Sequence, residues 1–306
     1  MHIYTSFHQN TLRSPLALSL GMFDGVHRGH QSILNELNTV AKTKNLESAV
    51  LTFWPHPRMV FQPDEPLKLL NTIEEKTALL DSFNVQNLFL QSFDEEFRSL
   101  TGEDFVRKVL VETLNVKYLT IGYDHVFGKN RSGNFELLQK LAPELGFEVV
   151  QMEAVNLHNN TISSTKIRKA LDEGRINDAN EMLGYHYPVT GKVVKGKQIG
   201  RTIGFPTANI EYAKHKLLPK KGAYIVETYV DGQFYKGMMS VGTNPTVNGE
   251  ELTVEVHILN FQDDIYGKEI TVKLREFLHD EIKFDGLEGL IERLKEDQHL
   301  TESFEF

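Results

Sequence analysis

Two histidines, His27 and His30, stand three positions apart in the segment Leu16–His30, LALSLGMFDGVHRGH, beside Asp24 and the glycines Gly21, Gly25 and Gly29. Imidazoles placed beside a triphosphate can donate hydrogen bonds as negative charge grows on the transferring group, and glycines let the backbone come close. The same spacing can also present two imidazoles to one metal ion, with His56 the one candidate for a third ligand, or simply cap a helix. The elements around the pair decide between these readings. Leu16–Leu20 has the length and bounding glycine of a short buried strand, and Ile33, Leu34 and Leu37 open a helical pattern after the turn. A strand, a glycine-rich turn and a helix start aim backbone N–H groups at an anion. A phosphate-bearing ligand accounts for the segment better than packing does.

Three more clusters follow in the first half. Thr52-Phe53-Trp54-Pro55-His56-Pro57, then Phe61, leaves a strand with Pro55 and Pro57 stiffening a loop whose aromatics can wall a planar ligand. The plain alternative is a turn among core aromatics. Gly122–Lys129 carries Asp124 and Phe127 out of another strand; by itself such a loop is a solvated turn, and its position at the same sheet edge is what adds weight. Ser163 or Ser164 can cap a helix through Lys169, Ala170 and Leu171, and with Thr165 and Arg168 the same helix start suits a polyphosphate.

The second half holds two. Gly191, Gly196 and Gly200 punctuate a basic run ending at Arg201, followed by Gly204-Phe205-Pro206-Thr207-Ala208-Asn209. The run suits a loop folded over phosphates, although it is not a Walker A sequence. Thr207 and Asn209 alternate on one strand, so both side chains point the same way and their oxygens suit Mg²⁺. The alternative is a strand entered through a flexible basic turn. Glu255, in Leu252–Leu259, shares a strand face with Thr253 and His257; lining a pocket, it is a general base for a hydroxyl, and otherwise it is solvent-facing polarity.

The elements fall into two textures. Apolar strands at Leu16–Leu20, Ala49–Trp54, Asn87–Leu90, Tyr118–Gly122 and Glu148–Met152 alternate with amphipathic stretches. Thr72 and Glu75 form a capping box for a helix over Ile73–Phe83, and Thr101 precedes a helical stripe of Phe105, Val106, Val109, Leu110 and Leu114. Alternation of this kind predicts a parallel sheet with its ligands beyond the strands' carboxyl ends. After Gly184 the period becomes two, over Tyr187–Val194, Ala223–Val230, Phe234–Val241, Leu252–Leu259 and Glu269–Leu278, with Asp231-Gly232 a hairpin turn. That predicts a small closed barrel with a last helix over Leu287–Lys295. Domains of 1–184 and 185–306 result.

Composition sets the outer limits. A chain of 306 residues with net charge −9 lacks the basic balance of a nucleic-acid binder, so its partners are expected to be small molecules. Absence of cysteine fits a reducing cytoplasm, and no apolar run reaches a membrane span. The expectation is a cytoplasmic protein without nucleic-acid or membrane partners, a monomer or weak homo-oligomer.

Taken in order, GxFDGxHxGH at Gly21–His30, TFxPHP at Thr52–Pro57, GxDxxFG at Gly122–Gly128 and ISSTxIR at Ile162–Arg168 resemble bacterial FMN adenylyltransferases, members of the HxGH nucleotidyltransferases. The family usually has Phe where this chain has His125. GFPTANI at Gly204–Ile210, KGAY at Lys221–Tyr224, GTNPT at Gly242–Thr246, VEVHIL at Val254–Leu259 and IYGKEI at Ile265–Ile270 resemble riboflavin kinase; His279 stands where that family often shows Arg. Both modules in one chain resemble the bifunctional riboflavin kinase/FMN adenylyltransferases, or FAD synthetases.

The resemblance implies an α/β Rossmann-like nucleotidyltransferase domain followed by an antiparallel six-stranded β-barrel with a C-terminal helix. It implies FMN made from riboflavin and ATP in the barrel, and FAD made from FMN and a second ATP in the first domain. His27, His30 and Arg168 would be catalytic there, and Gly21, Phe23, Asp24, Asp124, Ser164 and Thr165 would contact nucleotide. Phe53, Pro55, Pro57, Phe61 and Phe127 would face the flavin. In the barrel, Glu255 would be the base, Thr207 and Asn209 would bind Mg²⁺ and phosphate, Gly191, Gly196, Gly200 and Arg201 would hold nucleotide, and Phe205 would touch flavin. Rival readings are a flavin- or nucleotide-binding regulatory protein without turnover, and an HxGH enzyme with another phosphorylated acceptor.

Overall fold

The computed structural model describes residues 1–7, 14–61, 67–157, 160–246 and 249–306, with the side chains of 244–251 outside that description. The chain divides into two compact units, Met1–Ser163 and Ser164–Phe306.

In the first unit, strands β1 (His2–Tyr4), β2 (Leu16–Leu20), β3 (Glu47–Phe53), β4 (Asn87–Gln91), β5 (Val116–Gly122) and β6 (Glu148–Met152) form one sheet in the order β1-β4-β3-β2-β5-β6. Every pair in it is parallel. Strand β2 is buried along its whole length because both its faces are covered. Leu16, Leu18 and Leu20 pack with Phe105, Val106 and Leu110 on one side, and Ala17 packs with Leu34, Leu37 and Tyr118 on the other. From β2 the chain winds outward one way through β3 and β4, then crosses back to start β5 on the other side of β2. That reversal opens a crevice beyond the carboxyl ends of β2 and β5.

Helices α1 (Arg28–Lys44), α2 (Pro57–Phe61), α3 (Ile73–Ser82), α4 (Glu95–Ser99), α5 (Gly102–Asp104) and α6 (Phe135–Leu145) lie between the strands. The capping box of Thr72 and Glu75 is formed in full at α3. The helix expected after Thr101 departs from the ordinary α form. Thr101 caps α5, but Phe105–Thr113 then continues as a π-helix, and the Leu114 N–H bonds the Val109 carbonyl. The wider coil still buries Phe105, Val106, Val109 and Leu110, so the apolar stripe does its packing. A short hairpin, β7 (Asn156–Leu157) and β8 (Asn160–Thr161), closes the unit.

The second unit begins with α7 (Ser164–Asp172) and α8 (Ile176–Leu183), which pack against barrel elements. Asn180 on α8 donates its amide to the Leu274 carbonyl and accepts the Tyr187 N–H, at 2.9 and 2.8 Å. Strands β9 (Pro188–Val194), β10 (Ala208–Tyr212), β11 (Gly222–Val230), β12 (Gln233–Thr246), β13 (Gly249–Ile258) and β14 (Glu269–His279) close a barrel in the order β10-β13-β12-β11-β14-β9. One turn of helix, α9 (Ile199–Thr202), sits between β9 and β10. The final helix α10 runs over Leu287–Ser303, longer than expected because its last turns bury Asp297 and Thr301. Asp297 accepts from His279 Nε2 at 3.0 Å, which ties α10 to β14, and forms an ion pair with Arg293 of its own helix at 2.8 Å. The GTNPT segment is strand rather than loop, its backbone paired with β13 to Thr246; the side chains of Asn244, Pro245 and Thr246 lie outside the described residues.

Candidate active sites

In the first unit, the turn after β2 reverses at Phe23, Gly25 and Val26, all with positive φ. It delivers His27 as the N-cap of α1, where its Nδ1 accepts the His30 N–H at 3.4 Å. The His27 and His30 rings stack at 3.7 Å between centroids. Burial pushes His27 down to about 4, and His30 well below the ordinary imidazole value with help from the charges of His27 and Lys76. Both rings are therefore neutral near pH 7. With Nδ1 of His27 accepting, its proton sits on Nε2, which is left as a donor. The Nδ1 of His30 is buried without a hydrogen-bond partner among the described residues. An anion's oxygen or acidic hydrogen would satisfy it. The metal alternative finds no support: among the described residues, no group of three or more His, Cys, Asp and Glu side chains is placed to hold an ion.

Asp24 is 4% exposed and accepts the Leu70 N–H at 3.0 Å, so its carboxylate shapes the turn. Gly21 bonds β3 through its N–H to the Leu51 carbonyl, and Phe23 is fully buried against the His30 ring. Asp124 leaves β5 exposed, while the neighbouring His125 is pushed down to about 4 by burial and stacks on Phe127 at 6.0 Å. The neutral imidazole stacks on Phe127 with its Nε2 buried and without a hydrogen-bond partner among the described residues.

The aromatic residues expected to face a planar ligand are joined by three others. Phe53 packs on Phe93 and Phe97, Phe61 on Phe93, Phe97 on Phe105, and Phe105 on Phe127, all with centroids within 6 Å. Phe61 is 62% exposed and lies under the Arg98 guanidinium. Pro55 and Pro57 frame the start of α2. Phe93 and Phe97 carried no motif signal; a run of phenylalanines in an acidic stretch was their one trace.

Ser164, Thr165 and Arg168 stand on α7, which packs with the second unit. Ser164 opens the helix and Thr165 is exposed on its first turn.

In the barrel, Asn209 and Glu255 are direct partners across β10 and β13, and the Thr207 hydroxyl donates to Glu255 Oε2 at 3.0 Å. The expectation of Thr207 within a strand needs correction. It lies one residue before β10, in the turn after Pro206, which leaves its hydroxyl able to reach across to the carboxylate. Glu255 alternates with Val254 and Val256, which are buried, so it faces out of the barrel core. His257 on the same face bonds the Pro206 carbonyl at 2.8 Å and meets the Phe205 ring edge-on. Phe205 itself is 7% exposed, packed with Met238 and Leu259.

Glycine is required at two of the loop positions by close approach. A Cβ on Gly196 would meet the Asn209 amide at 2.3 Å, and one on Gly200 the Phe205 carbonyl at 2.2 Å. Gly191 belongs to β9, paired with Tyr212, where a Cβ would meet the Glu211 carbonyl at 2.3 Å. A cavity of about 380 Å³ opens beside this cluster, lined by Arg201, Thr207, Asp263, Asp264 and Tyr266 among others. Asp263 and Asp264 carry no sequence signal because a polar DD turn reads as an ordinary loop, whereas Tyr266 lies in the IYGKEI segment.

The first unit carries a glycine-rich turn at the carboxyl edge of a parallel sheet, and the second a closed barrel with a carboxylate bonded to a hydroxyl. Comparison places the chain. Residues 9–166 match the FAD synthetase family and residues 183–304 the riboflavin kinase family. The bifunctional riboflavin kinase/FMN adenylyltransferase of Listeria monocytogenes is 39% identical over 94% of this chain and 91% of its own. That of Escherichia coli K12 is 37% identical over 94% and 92%. A solved structure titled macrolide-efflux protein, from Streptococcus pneumoniae, superposes with a TM-score of 0.90 at 32% identity, covering 99% of both chains. The chain belongs to the bifunctional riboflavin kinase/FMN adenylyltransferase family. It is an enzyme with both activities, the adenylyltransferase module first and the kinase module second. No helix among the described residues is long and apolar enough to cross a membrane.

Proposed function

We propose that the two reactions run at the two sites described, with the residues in the following roles. In the barrel, Glu255 takes the proton of the riboflavin 5′-hydroxyl while that oxygen attacks the γ-phosphorus of ATP, and FMN and ADP result. The hydroxyl of Thr207 and the amide oxygen of Asn209 are hard donors adjacent to that carboxylate, a set that suits Mg²⁺. The ion would supply charge neutralisation on the phosphates. Arg201, Gly196 and Gly200 hold the nucleotide, with Gly191 setting the strand beneath them, and Phe205 supports the flavin end.

In the first module the FMN phosphate attacks the α-phosphorus of a second ATP, and FAD and pyrophosphate form. The nucleophile is already an anion, so no base is needed, and catalysis is positioning and charge stabilisation. Nε2–H of His27 and the buried His30 ring donate to the transferring group, and Arg168 adds its charge. Gly21, Phe23, Asp24, Asp124, Ser164 and Thr165 hold the nucleotide, and Phe53, Pro55, Pro57, Phe61 and Phe127 form the wall for the flavin. We place the module boundary at Gly184, so that α7 serves adenylyl transfer. The reading also puts the enzyme in the cytoplasm, acting on small molecules without nucleic acid or membrane, as a monomer or weak homo-oligomer.

The observation carrying this reading is that each module builds its own polar cluster at the end of its own sheet. Incubation with riboflavin, ATP and Mg²⁺, followed by chromatography of the flavins, tests it. Glu255→Gln is expected to abolish FMN formation while supplied FMN is still adenylylated. His27→Ala with His30→Ala is expected to do the reverse, with FMN accumulating. Loss of both activities in either variant refutes separate sites.

A further inference from the structure

Lys76 belongs to no motif, yet it is 3% exposed and stands inside the first site. It comes off the first turn of α3, where its N–H bonds the Thr72 carbonyl, so the capping box fixes where its side chain starts. Its Nζ donates to the Met22 carbonyl at 2.8 Å, and the same oxygen accepts the Thr52 hydroxyl at 3.2 Å. Met22 leads into Phe23 and Val26, whose φ values of 50° and 34° place large side chains in the left-handed region. Backbone held there persists only where its surroundings over-determine it.

Burial of an ammonium costs several kcal/mol, and a methionine would fill the same volume without that cost. The charge therefore has work to do. Asp24 acts on it from the turn, and it acts on His30, which also faces His27. We infer that Lys76 is a positioning residue for adenylyl transfer, its ammonium clamping the Met22 carbonyl so that the turn holds Asp24 and the imidazole pair against an incoming triphosphate. The inference rests on reading this module as the adenylyl-transfer site. Burial chiefly keeps the His30 ring neutral, and the charges of His27 and Lys76 oppose its protonation further.

The test compares Lys76→Met with Lys76→Arg in the full chain, reading FMN adenylylation, riboflavin phosphorylation and the NMR titration of the imidazoles. The Met variant is expected to lose at least about tenfold in kcat for adenylylation, with KM for FMN within about threefold and kinase activity unchanged. Its His30 titration should move up while staying below the ordinary value, since burial persists, and Arg should restore both. A Met variant with undiminished kcat and an unmoved titration overturns the inference. So do equal losses in Met and Arg, which mark packing alone. Should the Met variant not fold, Lys76→Gln against Lys76→Arg is read in the same way. A wild-type enzyme that makes no FAD refutes the reading of the module, and the imidazole titration then decides the part Lys76 plays.

Discussion

Imidazoles that stay neutral in the folded chain make its stability depend on pH. His27 and His125 titrate near 4 when folded, against an ordinary 6.5, because burial disfavours their charged forms. As pH falls through 6.5 the unfolded chain takes up protons that the native chain refuses. Stability is therefore complete above that value and is lost down to about 4. Each ring contributes up to about 3 kcal/mol across the window. The first module is expected to melt at a lower temperature at pH 5 than at pH 7.5. His125→Phe should shrink that difference, since it keeps a ring against Phe127 without a titrating group. A difference unchanged in the variant would show that His125 is not part of the cause. Differential scanning calorimetry resolves the point.

At the scale of elements, the loop between β9 and β10 is shaped by contact more than by flexibility. Gly196 lies against Asn209, and Asn209 is opposite Glu255, so the loop's position and the base are coupled through one amide. Gly196→Ala must displace Asn209, and riboflavin phosphorylation is expected to fall at least about tenfold while adenylylation of supplied FMN is unchanged. Circular dichroism of the variant should match wild type, since the barrel ladder does not pass through Gly196. Wild-type phosphorylation rates would mean that Asn209 has room the packing does not show.

At the scale of the molecule, packing and the family matches divide the chain at different places. The compact units part between Ser163 and Ser164, whereas the matched families end and begin at residues 166 and 183. Helices α7 and α8 pack with barrel elements, through Asn180 among others, although α7 carries Ser164, Thr165 and Arg168. A chain ending at Gly184 is expected to retain adenylylation of FMN, and one ending at Ser163 to lose it. Equal activity in the two would remove α7 from the site. Both fragments are assayed with supplied FMN and ATP.

What the sequence determined alone was local. Strand β2 could be read because a five-residue apolar run before glycine has one plausible fate. The barrel strands could be read because alternation records which side is buried, and the helix start at His27 because a strand, glycines and a helical pattern flank it. The tertiary structure decided what meets across the chain. Lys76 carries no signal of its own along the chain until α3 turns it inward onto a carbonyl 54 positions away. Phe93 and Phe97 gain meaning only where separate loops bring their rings onto Phe53 and Phe61. Periodicity encodes burial of a residue against its own element's face, but the identity of the partner is set by sheet order and crossover, which no local spacing records.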